Sequence, residues 1–576
     1  MSLIRRRAAA QALVTALLAG TGWILAIAGA AAQHSGAPDI IPPSVRPGAI
    51  EAEYEVEIAP GVSMAPTVIS PYEPEQAADA VSIEFVLSAV ELDGADALSA
   101  SALSALYADK VGRTIKLAEI FEIARAITRH YAEAGYPLSL AYVPAQEIDR
   151  GAVRIRIIEG FIGEIEIAGA PKRAERRLRA LGEKIMADRP LRQRTLERYL
   201  LLANEIPGLA VTGVLSRGTS PERGVKMTLA VEEKRLSAAA NVNNRASRAV
   251  GREQIVGRSA FSGLLTGVDQ ISLSTVQSLN MDELAVYGGR YSTILTPEGL
   301  ALNIAATRSD AAPGVPFLRV LGFETEGWTA GAGLSYPLVL TRDVKAGVSA
   351  MVNWKEFRSA FGVTPNTLDR LWTTDIDVSV SIKDRWDGVN AIGVSLSKGW
   401  DIFNATEAGS PLASRAGAGA EFFTVGAELS RIQRLADWSD MTVAVKAQTA
   451  NRPLLSSEQC GFGGAGFGRG YDPFEIAGDR CIVAMIELRA SPAFLERGRL
   501  KAVPFVSFDA GAAQQKGPLS VGENRNATLY SFAAGTRLAL TKYLSASAEL
   551  GVPLKGVVAQ EGDDDPRFFF ALEAKY

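Results

Sequence analysis

After Lys234 the chain loses every helical period and falls into sixteen segments in which apolar and polar residues alternate. They begin near Leu236, Arg252, Asp269, Glu283, Gly299, Glu326, Asp343, Asp369, Gly388, Ala418, Trp438, Cys481, Arg499, Asn526, Tyr543 and Arg567. Alternation marks a strand whose two faces meet different environments, because successive side chains point to opposite sides. So many strands without intervening helices restrict the region 236–576 to a large antiparallel sheet, and an even number suits a sheet closed on itself. Past the first thirty or so residues, no uninterrupted apolar stretch approaches the ~20 residues that a membrane helix requires. A closed barrel is then the one way for this region to cross a bilayer, since hydrocarbon offers no partner to a free sheet edge.

The connections test this expectation independently. Bacterial barrels have short turns at the periplasmic end and longer loops outside. Brief links near 295–298, 341–342, 385–387, 434–437 and 541–542 alternate with long ones at 310–325, 359–368, 401–417 and 451–480. In the final segment Phe568, Phe570, Leu572, Ala574 and Tyr576 share one face, while Arg567, Glu573 and Lys575 share the other. The first face suits lipid, although an amphipathic strand of a soluble sheet has the same pattern.

Upstream the organisation changes. Arg5, Arg6 and Arg7 precede the apolar run 8–27, and small residues at 28–32 supply a cleavage site, so 1–32 reads as a secretory signal peptide. Residues 33–80 carry Pro42, Pro43, Pro47, Pro60, Pro66, Pro71 and Pro74 and read as a linker. A compact unit is predicted over 81–160: a strand through Ile83, Phe85 and Leu87, a helix capped by Ser99, and a second helix through Leu117, Ile120, Phe121, Ala124, Ile127 and Tyr131. Strands at 138–143 and 153–158 close it. The same order of strand, helix, helix, strand, strand recurs over 161–235.

The connection 451–480 is the longest and richest in turn residues. It contains Gly468-Arg469-Gly470-Tyr471, and downstream lies Phe508-Asp509-Ala510-Gly511. Together these resemble the arginine-glycine-aromatic loop motif and the Phe-x-Asp-x-Gly strand motif of polypeptide-transporting outer-membrane barrels, the superfamily of barrel-assembly factors and two-partner secretion transporters. The paired units at 81–235 look like POTRA modules. Gly135-Tyr136, Pro144-Ala145-Gln146, Gly151 and Ile158-Glu159-Gly160 in the first resemble the signature of the haemolysin-type secretion transporters. In such transporters a helix near the N-terminus can plug the barrel, but no strong amphipathic helix stands out in 33–80. Strand parity sets Ser507 and Asp509 opposite Val506 and Phe508, which turns Asp509 toward the lumen. An arginine fork can satisfy such a carboxylate with two hydrogen bonds, and Arg469 is its candidate partner, as the resemblance also implies. The glycines around Arg469 give the backbone freedom to thread a crowded pore. Cys460 and Cys481, the only cysteines, flank this loop and are expected to pair in an oxidising periplasm, two separate buried thiols being the alternative.

Enzyme readings fare poorly. His34 and His130 are the only histidines and neither falls in the barrel, so a triad there has no base. The glycine run lacks the Gly-Lys-Ser/Thr ending of a nucleotide loop. Asp563, Asp564 and Asp565 read as a solvated loop, with a calcium site as the weaker alternative. No cofactor, metal or catalytic residue is expected, and 60 basic against 64 acidic side chains imply no nucleic-acid partner. The fold expected is multidomain: POTRA-like α+β modules followed by a 16-stranded antiparallel transmembrane β-barrel. The resemblance implies an outer-membrane transporter of a Gram-negative bacterium, with its POTRA units in the periplasm, exporting an exoprotein of adhesin or haemolysin type. Its other expected partners are outer-membrane lipids and, during biogenesis, the barrel-assembly machinery and periplasmic chaperones. Phe568, Phe570, Leu572 and Tyr576 resemble the barrel-insertion signal. A barrel-assembly factor and a passive porin are the competing readings.

Overall fold

The computed structural model describes residues 83–216, 224–492, 495–497, 500–519 and 524–576. The expected signal peptide and proline-rich linker lie outside the described residues.

The first unit runs β1 (Glu84–Val86), β2 (Ala89–Asp93), α1 (Ala100–Ser104), β3 (Thr114–Lys116), α2 (Leu117–Glu133), β4 (Leu140–Tyr142) and β5 (Ala152–Ile158). Ser99 caps α1, its hydroxyl oxygen accepting from the Ala102 N–H at 3.4 Å. The stripe Ile120, Ile123, Ala124, Ile127 and Tyr131 buries α2 against the sheet. In that sheet β5 lies between β2, parallel to it, and β4, antiparallel. β2 and β3 are absent from the order expected from sequence. Both are too short to display a period, and their place is set by pairing with β5 and β1 instead.

The second unit comprises β6 (Ile162–Ala168), α3 (Lys172–Met186), α4 (Gln193–Asn204), β7 (Leu209–Ser216) and β8 (Val225–Glu233). Its core joins Leu178, Leu181 and Ile185 of α3 with Leu196 and Leu200 of α4 over Met227 and Leu229 of the central strand β8.

Sixteen strands then form a closed antiparallel barrel. The first are β9 (Leu236–Asn243), β10 (Gln254–Ser262), β11 (Asp269–Ser278), β12 (Leu284–Ile294) and β13 (Ala301–Ala311). A short helix α5 (Pro316–Val320) leads to β14 (Phe323–Leu340), β15 (Val344–Phe361), β16 (Thr364–Lys383), β17 (Gly388–Trp400), β18 (Phe423–Ala436) and β19 (Ser439–Ala450). The long connection that follows contains a small hairpin, β20 (Cys460–Phe462) with β21 (Ile476–Gly478). β22 (Arg480–Ala490), a two-residue β23 (Glu496–Arg497) beside β24 (Leu500–Gln514), β25 (Asn526–Ala539), β26 (Leu544–Pro553) and β27 (Arg567–Lys575) complete the wall. β27 closes it on β9 from Ala571↔Asn243 to Lys575↔Ala239.

Two expected boundaries move. β16 starts at Thr364 rather than near Asp369, and β18 at Phe423 rather than near Ala418. The loop expected at 359–368 is therefore a two-residue hairpin, with Phe361 paired to Thr364. Pro365 and Asn366 sit in β16, which β17 joins only from Trp372 onward. That leaves a stretch without a strand neighbour on one side, which the connection 401–422 reaches at Leu368 and Arg370 but not at Pro365, where proline is tolerated. On β27 the side chains of Phe568, Phe570 and Leu572 are exposed on the outer wall, whereas Arg567 and Phe569 are buried inside; Tyr576, one residue past the strand, is exposed with Lys234 Nζ 5.7 Å from its ring.

Candidate functional site

The connection 451–479 turns back into the barrel and packs against β22, β24, β25 and β26. Its base is tied by a disulfide between Cys460 and Cys481, whose Cα atoms are 6.1 Å apart. At its tip Gly468 adopts φ +88°, a conformation that a residue with Cβ rarely takes. This aims the next N–H at the wall: the Arg469 amide donates to Asp509 Oδ2 at 3.1 Å, and Ser531 Oγ donates to the same oxygen at 3.3 Å. Arg469 and Asp509 are both buried.

The two-pronged side-chain fork expected between them is not made. The Arg469 guanidinium instead donates through Nη1 to Glu487 Oε2 at 2.6 Å and through Nε to the Ala465 carbonyl at 3.3 Å. The reason lies in the register. β22 and β24 pair Met485 with Asp509 and Glu487 with Ser507, so the two carboxylates occupy the lumen face one inward position apart. A backbone donor meets the first carboxylate and the extended side chain reaches the second. Glu487 also accepts from Arg537, with Nη1 at 2.7 Å from Oε1 and Nη2 at 2.8 Å from Oε2. Both guanidinium groups lie over the Phe505 ring, at 5.5 Å for Arg469 and 4.2 Å for Arg537.

The neighbouring motif residues divide their roles by geometry. Tyr471 is buried, its hydroxyl 2.7 Å from the Lys555 carbonyl and 2.9 Å from that of Tyr530. Gly470 lies so close to the β26 backbone that a Cβ would come within 2.8 Å of Val552 and Pro553 main-chain atoms, and one on Gly511 would be 2.3 Å from the Phe462 ring. Phe508 faces outward and stacks with Tyr530 at 6.4 Å. The next loop residue, Asp472, accepts from Arg567 at 2.8 Å in a buried ion pair, which joins the loop to the final strand. Glu487, Arg537, Phe505, Asp472 and Arg567 were not singled out from sequence. The one available signal was Glu487 itself, an acid at an inward position of the otherwise apolar run 482–488.

On the other side of the lumen a cavity of 810 Å³ runs along β9 to β19, walled by serine, threonine, glycine, alanine and valine with Arg258, Arg290, Lys355, Asp375, Asp377 and Glu458. The second N-terminal unit sits at the barrel end marked by the short turns. Arg173 of α3 donates to the Leu264 carbonyl at 2.6 Å, and Arg177 to the carbonyls of Ile294 and Leu295 at 2.8 and 3.0 Å. Arg198 of α4 reaches the Pro337 carbonyl at 3.2 Å. Lys184 bonds Glu298 at 2.8 Å; that hydrogen bond holds the carboxyl below its ordinary range and lifts the ammonium above its own.

This architecture matches known proteins. Residues 85–160 match the family of the ShlB-type POTRA domain, and residues 225–538, more than half of the chain, match the haemolysin secretion/activation protein family ShlB/FhaC/HecB. The chain belongs to this family. It is accordingly a two-partner secretion transporter of the Gram-negative outer membrane, exporting a partner exoprotein, and not an enzyme. Among ShlB/FhaC/HecB relatives, the heme/hemopexin transporter protein HuxB of Haemophilus influenzae is 22% identical over 458 residues, 78% of this chain and 80% of its own. The outer membrane transporter CdiB of Escherichia coli is 25% identical over 201 residues, 35% of this chain and 34% of its own. The solved structure of Escherichia coli CdiB superposes with a TM-score of 0.69 at 19% identity, covering 88% of this chain and 93% of that one.

Proposed function

We propose that the two POTRA units, at 81–160 and 161–235, capture an unfolded exoprotein of adhesin or haemolysin type, and that the loop tip around Arg469 leaves its seat to let that chain pass. A unit of this kind offers sheet edges and a helix groove to an extended polypeptide. Folding of the emerging chain outside supplies the bias for export, since the periplasm provides no ATP. Phe568, Phe570, Leu572 and Tyr576 present the outer-membrane lipids with an apolar edge, and they are the residues that the barrel-assembly machinery would read once periplasmic chaperones deliver the chain.

The observation that carries this reading is the polar seating of Arg469. Its contacts with Glu487 and Asp509 are hydrogen bonds and charge pairs, which water can replace when the loop withdraws, and Arg537 stays behind to neutralise Glu487. Export of the cognate exoprotein, measured at matched transporter levels, tests it. Arg469→Ala is expected to lower export while the barrel remains in the membrane, and Arg469→Lys to restore it only partly, because an ammonium cannot hold Glu487 and the Ala465 carbonyl together over Phe505. Wild-type export from both variants would sink the role given to Arg469. A cell that inserts other barrels poorly without this protein, yet exports no exoprotein through it, would support a barrel-assembly factor instead.

A further inference from the structure

The outer mouth of the barrel holds a third buried ion pair, outside both motifs. Arg415, on the connection 401–422 between β17 and β18, has a side chain 3% exposed, and Asp479, the last residue before β22, is fully buried. The guanidinium meets both carboxylate oxygens, at 2.7 Å and 3.3 Å. It also donates to the Leu454 carbonyl at 2.6 Å and to Gln515 Oε1. Asp479 accepts in addition from the N–H groups of Leu454 at 2.7 Å and Lys516 at 2.6 Å. One pair thus binds together three outer connections: 401–422, 451–479 and the segment that follows β24. Ser456 N–H donates to Ser414 Oγ at 3.0 Å and adds a second tie between the first two. Phe357, Leu371, Phe422, Leu454 and Leu455 form a buried apolar cluster beside it.

We propose that Arg415 and Asp479 form an outer latch that holds the exit closed and must open for an exported chain to leave. This rests on the reading above that the exoprotein exits through this end. The energetics suit a latch. The attraction within a buried ion pair is largely offset by the cost of stripping water from both charges, and that cost is recovered when the pair opens into solvent. Such a pair fixes the geometry of the closed state without making closure permanent, and four loop contacts fail together when either partner is removed.

The test uses the full-length purified protein in planar lipid bilayers, with no exoprotein present. Arg415→Ala and Asp479→Asn are each expected to raise mean conductance several-fold, and Arg415→Asp combined with Asp479→Arg to bring it back toward the parent level. Labelling supplies a readout in cells: a bulky impermeant maleimide should modify Ser456→Cys when combined with Arg415→Ala, but not in the otherwise native chain, whose own cysteines are bonded to each other. Heat-modifiable migration confirms that each variant is a folded barrel. Parent conductance from folded single variants, or equal labelling of Ser456→Cys with and without Arg415, would overturn the latch. Because neither measurement needs the exoprotein, that outcome is separate from failure of the export assay.

Discussion

At the scale of single residues, the loop is seated by one carboxylate shared between two arginines. Removing Arg469 leaves Glu487 held by both prongs of Arg537, whereas removing Glu487 strands the buried Arg469 guanidinium in the wall, the half-exposed Arg537 being free to turn to water. Breaking a buried pair from one side costs about 3–5 kcal/mol. Glu487→Ala should therefore lower the unfolding midpoint of the detergent-extracted barrel well below that of Arg469→Ala. Equal midpoints would contradict the sharing. Asp509 could be turned to the lumen from sequence because parity within one strand is a local property. Glu487 and Arg537 could not be joined that way: they are 50 residues apart, and a linear pattern does not encode which inward positions of neighbouring strands come level.

At the scale of elements, the final strand carries two duties. Its outer face presents Phe568, Phe570 and Leu572, while Arg567 on the inner face grips Asp472 of the loop, and its later residues close the wall against β9. Deleting residues 568–576 should abolish heat-modifiable migration of the membrane-extracted protein, and normal insertion of the shortened chain would refute this role. Long strands were legible because period-2 alternation persists over many residues. The three-residue strands β3, β20 and β21 gave no such signal, and only their partners fix them. The hairpin at 362–363 was misread as a long loop for a related reason: the first residues of β16 have β15 as their only strand neighbour, with a loop on the other side.

At the scale of the whole molecule, three arginines on two helices fix the second N-terminal unit to the turns after β10 and β12 and to the end of β14, so that unit and the barrel end it faces keep a set relation. Arg177→Ala with Arg198→Ala should loosen that relation. Spin labels on α3 and on the turn 263–268 would report it as a broader distance distribution by pulsed electron resonance, with export reduced and the barrel still inserted; an unchanged distribution would count against the docking. The kind of acceptor in these contacts has a consequence of its own. Arg173, Arg177 and Arg198 reach for main-chain oxygens, which every amino acid carries alike. The exposed side chains Leu264, Leu295 and Leu338 can therefore drift in evolution without disturbing these three contacts, and on the barrel side the constraint narrows to a few side chains, Glu298, Arg342 and Lys345, which pair with Lys184, Glu197 and Glu205.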